Sequence, residues 1–189
     1  LIRNTPADGM VGGLATVNAA HFPGNASRVA VASYDYTVLA GTQGQKNHTK
    51  KDRLFDVAER LRLPFVLFAE GGGGRPGDTD ASGVAGLDCH AFAYFAQLSG
   101  LVPLVGITNG YCFAGNAALL GCCDVIIATE DSYTGMAGPA MIEGGGLGVV
   151  KPTDIGPIDV QTANGVVDIR VADEAAAVEA AKRYLSYFQ

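Results

Sequence analysis

Short apolar runs of strand length alternate with stretches of helical periodicity, and that alternation restricts the fold more than any single motif. Phe65 to Ala69 and Val102 to Thr108 are continuous apolar runs, as expected of strands covered on both faces, and Asp124 to Thr129 reads as a further strand. Val29 to Ser33 and Tyr36 to Ala40 are short apolar segments rich in β-branched residues, and Val166 to Val171 reads as a short strand near the end. Between them lie helical patterns. Leu54, Val57, Ala58 and Leu61 fall at i, i+3, i+4 and i+7, behind the capping-box pattern Thr49-Lys50-Lys51-Asp52 and ahead of Pro64. Ala91, Tyr94, Phe95 and Leu98 repeat at helical spacing, and Ala114 to Cys123 reads as a short apolar helix. Asp173 is placed to cap a last helix running to Phe188, with Ala177, Val178, Ala181 and Leu185 on one face. Gly41 to Asn47, Gly71 to Gly83 and Gly135 to Gly156 are rich in glycine or polar residues and read as loops. With no internal repeat and no long linker, the expectation is one α/β domain over residues 1–189, with helices packed on a sheet.

Composition narrows the function classes. Hydrophobic residues are 48% and charged residues 17% of 189, a buried globular balance and not a disordered one. The net charge of −6 argues against a nucleic-acid surface unless a basic patch is assembled locally. The densest basic cluster, Lys50-Lys51-Asp52-Arg53, reads as the solvated start of a helix; contact with an anionic ligand is the alternative. No apolar run reaches membrane-spanning length, and no signal peptide is visible, so no membrane role is expected. The chain starts at Leu1 rather than Met, which suggests a piece of a longer or processed protein. Cys89, Cys112, Cys122 and Cys123 form no CxxC pair, and His21, His48 and His90 are scattered, so no metal site is expected. Cys122-Cys123 in an apolar run reads as reduced core packing and fits a cytoplasmic location.

Two segments that follow strand-like runs can carry chemistry. Glu70-Gly71-Gly72-Gly73-Gly74-Arg75 places four glycines in a row, at a cost in backbone entropy that a close backbone approach to a ligand would explain. Amides of Gly72, Gly73, Gly74 and Arg75 are candidate oxyanion donors; a plain surface turn is the alternative. In Thr108 to Ala117, small residues open a helix directly after a strand, so free amides at Ala114 and Gly115 can meet an anion there, or the small residues serve only tight packing. No GxxxxGK[ST] occurs, a dinucleotide pattern fits poorly, and no GxSxG or Cys–His motif marks a nucleophile. Glu143 and Glu70 are carboxylates near these loops, each readable as a base or as a loop-ordering or capping group, and Asp35, near a strand end, reads as a loop-ordering group.

The run from Ile107 to Ala128, with Asn109-Gly110-Tyr111 and Ala114-Gly115, resembles the crotonase superfamily signature, in which NGYALGGG opens a helix whose amide donates to a thioester oxygen. Hydratases of that superfamily carry a catalytic Glu where this chain has Ala118. A closer resemblance, in order along nearly the whole chain, is to the carboxyltransferase component of biotin-dependent acyl-CoA carboxylases. Asp35 to Gly41 is similar to that family's DxTVxGG, Glu70 to Arg75 stands in place of its DSGGAR, and Gly110 to Asn116 is similar to its GPCAGGA. Ala137-Gly138-Pro139 is similar to its TGP, and Asn164-Gly165-Val166, Asp173-Glu174 and Tyr184 to Phe188 resemble its closing SGV, acidic pair and LSYLP. Departures are Gly71 for Ser, Ala114 where Gly is frequent, and Asn116 where Ala is usual.

The resemblance implies a crotonase-like (ClpP/crotonase) ββα spiral and the acyl-CoA-binding half of a carboxyltransferase, whose second, carboxybiotin-binding half is absent from this chain. It places acyl-CoA near Gly110, Tyr111, Gly138 and Pro139, with the enolate held by the amides named above. Biotin would be carried elsewhere, on a biotin carboxyl carrier served by a biotin carboxylase, and its ureido nitrogen would take the α-proton, so that the chain need supply no base. A homo-oligomer is implied, and the isolated half is expected to be inactive. The competing readings are a stand-alone hydratase, isomerase or thioesterase, with Glu143 or Glu70 as base, and a non-catalytic acyl-CoA-binding module.

Overall fold

A computed structural model describes residues 5–75, 77 and 89–189; the expected glycine-rich loop therefore lies largely outside the described residues after Arg75. Six strands form one sheet in the order β1 (Met10–Thr16), β2 (Arg28–Tyr34), β3 (Phe65–Phe68), β4 (Leu104–Thr108), β6 (Val125–Thr129) and β8 (Ile169–Val171). Only β1 runs antiparallel to its neighbour; the other pairs are parallel. A separate parallel pair joins β5 (Tyr111–Phe113) to β7 (Tyr133–Gly135).

The central strands are buried because both faces are covered. Phe65 and Leu67 point to one face, under α1 (Gln45–Leu61), α2 (Ala91–Gln97) and α3 (Gly115–Leu120), where Phe55, Phe65 and Phe95 meet with ring centroids 4.7–5.3 Å apart. Val66, Val105, Ile107, Val125 and Ile127 point to the other, under Ala177, Ala181 and Leu185 of α6 (Glu174–Leu185). Two-sided burial of parallel strands is what continuous apolar runs encode. Gly106 lets α3 settle close, since a Cβ there would stand 2.5 Å from Leu120 Cδ1 and 3.0 Å from Cys123 Sγ. All four cysteines are free thiols; Cys112 is buried, and Cys122 and Cys123 are partly buried against the core.

Several local expectations are corrected. Helix α1 starts at Gln45 and not at Thr49, whose hydroxyl instead donates to the Gln45 carbonyl at 3.1 Å. The cap comes from outside the helix: the Asn47 amide donates to Asp8 Oδ2 at 2.6 Å. The buried face of α1 is Asn47, Lys51, Phe55 and Ala58, while Leu61 is 50% exposed, because the Phe55 ring seats the helix on Phe65 and Phe95. Lys51 is therefore buried, not solvated. Tyr36 to Ala40 turns and enters a short 3₁₀ segment, Leu39–Gly41, with positive φ at all three residues. The expected loop 135–156 contains a short helix, α4 (Pro139–Gly144), and 158–163 forms α5 (Ile158–Ala163). Asp173 caps α6 as expected, accepting from the Ala176 amide at 2.8 Å, but the helix stops at Leu185 and Val178 is 39% exposed. No helix among the described residues is long and apolar enough to cross a membrane.

Candidate active site

The first glycine loop leaves β3 and threads between three other segments. The Gly71 amide donates to the Tyr111 carbonyl at 2.9 Å, and the Gly71 carbonyl accepts from Phe113 at 2.8 Å, so this residue extends the pairing of β5. A Cβ at Gly71 would stand 2.2 Å from Asn116 Nδ2 and 2.3 Å from the Gly41 carbonyl, which admits only glycine. The Gly72 amide donates to the Ala40 carbonyl at 3.0 Å, the Gly73 amide to Asn116 Oδ1 at 3.0 Å, and the Arg75 amide to the Gln43 carbonyl at 3.0 Å. The buried Arg75 side chain pairs with Asp8 and donates to the Thr42 carbonyl at 2.9 Å.

The second segment meets the first at Gly73. Gly73 has φ +90°, and a Cβ on it would lie 2.7 Å from Ala114 Cβ and 3.2 Å from the Gly115 nitrogen. Only a residue without a side chain lets the two loops touch there. Ala114 turns the chain from β5 into α3 at φ 51°, ψ −122°, a conformation that costs a residue with a Cβ about 1–3 kcal/mol. Its amide is held by the Gly135 carbonyl at 3.0 Å. Gly115 is the first residue of α3 and has no helical acceptor for its amide.

Of the expected donors, then, Gly72, Gly73, Ala114 and Arg75 use their amides within the protein, and among the described residues only those of Gly74 and Gly115 have no acceptor. Gly110 and Tyr111 lead into this corner, where the Tyr111 ring stacks on Tyr133 at 5.2 Å. Gly138 lies against the Phe113 ring, 3.5 Å from a would-be Cβ, and Pro139 opens α4 beyond it.

A polar core behind the loops carries residues that motif reading did not select. Asn116 is fully buried; its Oδ1 accepts from both Gly73 and Gln43 Nε2, each at 3.0 Å, and its Nδ2 donates to the Glu70 and Gly41 carbonyls at 3.3 and 3.4 Å. Gln43 Oε1 accepts from Lys51 Nζ at 2.6 Å, and Lys51 also donates to the Tyr34 hydroxyl at 2.9 Å. The sequence carries no signal for this set beyond Asn116 breaking a run of small residues, because its members come from four distant segments.

The titratable groups sort differently from expectation. Glu70 orders the loop: its carboxylate accepts from the Asn109 amide, and burial raises its pKa. With Asp35, Asn109 and Glu174 it lines a cleft of about 590 Å³ beyond the ends of β2, β3 and β4, which the loop glycines do not line. Glu143 is exposed on α4. Cys89 does find a histidine, His48 Nδ1 at 3.1 Å, yet burial pushes the thiol pKa up and lowers His48 to about 4, so the pair is neutral and not a thiolate–imidazolium nucleophile. Among the described residues no cluster of three or more metal-ligating side chains occurs.

The family model described as "Carboxyl transferase domain" matches residues 7–189. The methylmalonyl-CoA carboxyltransferase 12S subunit of Propionibacterium freudenreichii subsp. shermanii is 30% identical over 185 residues, 96% of this chain and 33% of that protein. The biotin-dependent long chain acyl-coenzyme A carboxylase beta4 subunit of Mycobacterium tuberculosis is 30% identical over 171 residues, 86% of this chain and 31% of its own length. Among solved structures, a single-chain, multi-domain long-chain acyl-CoA carboxylase superposes with a TM-score of 0.94 at 66% identity, covering 100% of this chain and 18% of that one. The transcarboxylase 12S crystal structure, described as a hexamer assembly, gives a TM-score of 0.80 at 28% identity, covering 96% of this chain and 34% of that one. The chain thus spans about a third of the curated relatives it matches. These likenesses bear out the crotonase-like α/β fold.

Proposed function

The chain belongs to the carboxyl transferase domain family, and from that membership we propose that residues 1–189 form one domain, the acyl-CoA-binding half of a biotin-dependent carboxyltransferase. The observation that carries the reading is the pair of unengaged amides at Gly74 and Gly115, on loops that Gly73 brings into contact. Gly72, Gly73, Ala114 and Arg75 spend their amides within the protein, which leaves these two of the expected donors for an oxygen that becomes negative as an enolate forms. Gly110, Tyr111, Gly138 and Pro139 border the same corner and would flank the acyl-CoA. Biotin, carried on another domain or subunit, supplies the carboxyl group when bound at the second half. This chain positions the thioester, stabilises its oxygen, and supplies no base, consistent with Ala118 and with Glu70 committed to the Asn109 amide.

The 66% identity to a long-chain acyl-CoA carboxylase supports a long-chain acyl-CoA as the substrate class. A homo-oligomer completed by the carboxybiotin-binding half, a carrier and a carboxylase component, in the cytoplasm, completes the proposal.

Gly74→Pro tests it cleanly. A Cβ at Gly74 meets no atom within 4 Å and its amide has no protein acceptor, so the change removes a donor without breaking a hydrogen bond of the loop. In the assembled transferase kcat should fall about 10²–10³-fold, as for loss of one oxyanion donor, while Gly74→Ala, which keeps the amide, stays near wild type. Full activity of Gly74→Pro would remove Gly74 from the site; acyl-CoA binding without transfer, in the complete assembly, would make the domain a binding module.

A further inference from the structure

We infer that Lys51 is a positioning residue for this site: through Gln43 and Asn116 it fixes where Gly73 and Gly74 stand against Gly115. The inference rests on the carboxyl-transfer reading above.

The argument is one of donors and acceptors. Lys51 lies on the buried face of α1 with no exposed surface, its Nζ 2.6 Å from Gln43 Oε1, 2.9 Å from the Tyr34 hydroxyl and 5.3 Å from the Tyr34 ring centroid. An ammonium only donates. The Gln43 carboxamide turns its oxygen to Lys51 and its nitrogen away, to Asn116, the orientation that a charged Lys51 requires. Asn116 must in turn present Oδ1, and that same oxygen receives the Gly73 amide. The orientations agree from one group to the next, and the Gly73 amide with the Gly41 and Glu70 carbonyls holds Asn116 in the same sense, so the relay adds to the hold on the acceptor on which the glycine loop hangs. Gln43 is also bound to the loop by its main chain, to the Gly73 carbonyl at 2.7 Å and the Arg75 amide at 3.0 Å. Its Nε2 stands only 3.1 Å from where a Cβ on Gly115 would be, so the relay runs directly beneath the contact of the two loops.

Packing alone does not account for a lysine here. A methionine would fill the same stretch of helix face without desolvating a charge. Burial pulls the ammonium pKa from 10.5 to about 7, opposed by the attraction of the Asp52 and Asp8 carboxylates, so the fold retains this group against a substantial penalty. The penalty is met by two short hydrogen bonds, one of which begins the relay.

The test compares Lys51→Met, Asn116→Ala and their combination in the assembled carboxyltransferase, this chain together with the carboxybiotin-binding half. Acetyl-, propionyl- and a long-chain acyl-CoA serve as substrates. Lys51→Met should lower kcat about 10- to 100-fold, the scale of a small misplacement of catalytic groups, with KM for acyl-CoA unchanged. Because both residues act on the same loop, the combined variant should be no slower than Asn116→Ala alone. Wild-type kcat in Lys51→Met, or losses that multiply in the combined variant, would overturn the inference. Should Lys51→Met fold poorly, Lys51→Met/Gln43→Leu/Tyr34→Phe replaces all three partners by apolar groups of similar shape and leaves no orphaned polar group among them; it should melt like the wild type and show the same loss of kcat, and full activity would again overturn the inference. If the unaltered assembly transfers no carboxyl group to any of the three thioesters, the functional reading itself falls and this inference with it.

Discussion

Replacing Asn116 by alanine would leave two buried donors without an acceptor at once. The Gly73 amide and Gln43 Nε2 both point at Asn116 Oδ1 from 3.0 Å, in a place where Asn116 itself has no exposed surface. An unsatisfied buried donor costs about 1–3 kcal/mol, and two together about 2–6 kcal/mol on the same scale. The bonds from Nδ2, at 3.3 and 3.4 Å, are long and add little. For a chain of this length each kcal/mol moves the melting temperature about 2–4 °C. Asn116→Ala should therefore melt at least about 4 °C lower than wild type, with a matching fall in the urea midpoint and an unchanged slope. The assay is circular dichroism on the purified chain, scanned in temperature and titrated in urea. A melting temperature within a degree of wild type would refute the claim that Asn116 is the shared acceptor, since nothing else among the described residues accepts from the Gly73 amide.

Two further outcomes follow from single residues. Ala114→Gly places the residue without φ restrictions at φ 51°, ψ −122°, and relief of that strain should raise stability by about 1 kcal/mol, read as a higher melting temperature; a lower one would mean that the Ala114 methyl contributes more by packing than its backbone loses. His48 is held neutral by burial, its pKa lowered from 6.5 to about 4, so between those values the unfolded chain takes up a proton that the folded chain refuses, and stability falls as pH drops from 6.5 towards 4; unfolding midpoints at pH 7 and pH 4.5 should differ less for His48→Gln than for wild type, and equal differences would exclude His48 as the source.

What was legible in the sequence is what periodicity can encode. β3, β4 and β6 are continuous apolar runs because both faces of a parallel strand are covered, and α6 announces itself through the Asp173 cap and the spacing of Ala177, Ala181 and Leu185. The edge strand β1 was missed because Met10 to Thr16 contains two glycines and is exposed on both sides after Met10, so no alternation marks it. The start of α1 was misplaced because its cap, Asp8, lies 39 residues from the amide it serves. Within the site, the two glycine loops stood out by composition, but which of their amides are spare did not. That depends on acceptors at Ala40, Gln43 and Asn116, brought in by tertiary packing alone.

The same packing makes sense of two departures from the family pattern that look unrelated in the sequence. Gly71 stands where that pattern has Ser, and Asn116 where Ala is usual. A Cβ at position 71 would lie 2.2 Å from Asn116 Nδ2 and 2.8 Å from Asn116 Cγ, so the carboxamide of one residue fills the volume in which the other's side chain would begin. The two positions share one space, which the Gly41 carbonyl also bounds at 2.3 Å from that Cβ, so the Asn116 carboxamide and the backbone together leave room only for glycine at 71. The exchange also changes the chemistry of that space: the carboxamide supplies one oxygen that serves both the Gly73 amide and Gln43, and two N–H groups that serve Glu70 and Gly41. A hydroxyl has a single hydrogen to donate and could not serve both carbonyls. Asn116 is thus what ties the glycine loop to Gln43 and, through it, to Lys51, so the buried lysine and the four-glycine run belong to one solution of how to hold this corner rigid.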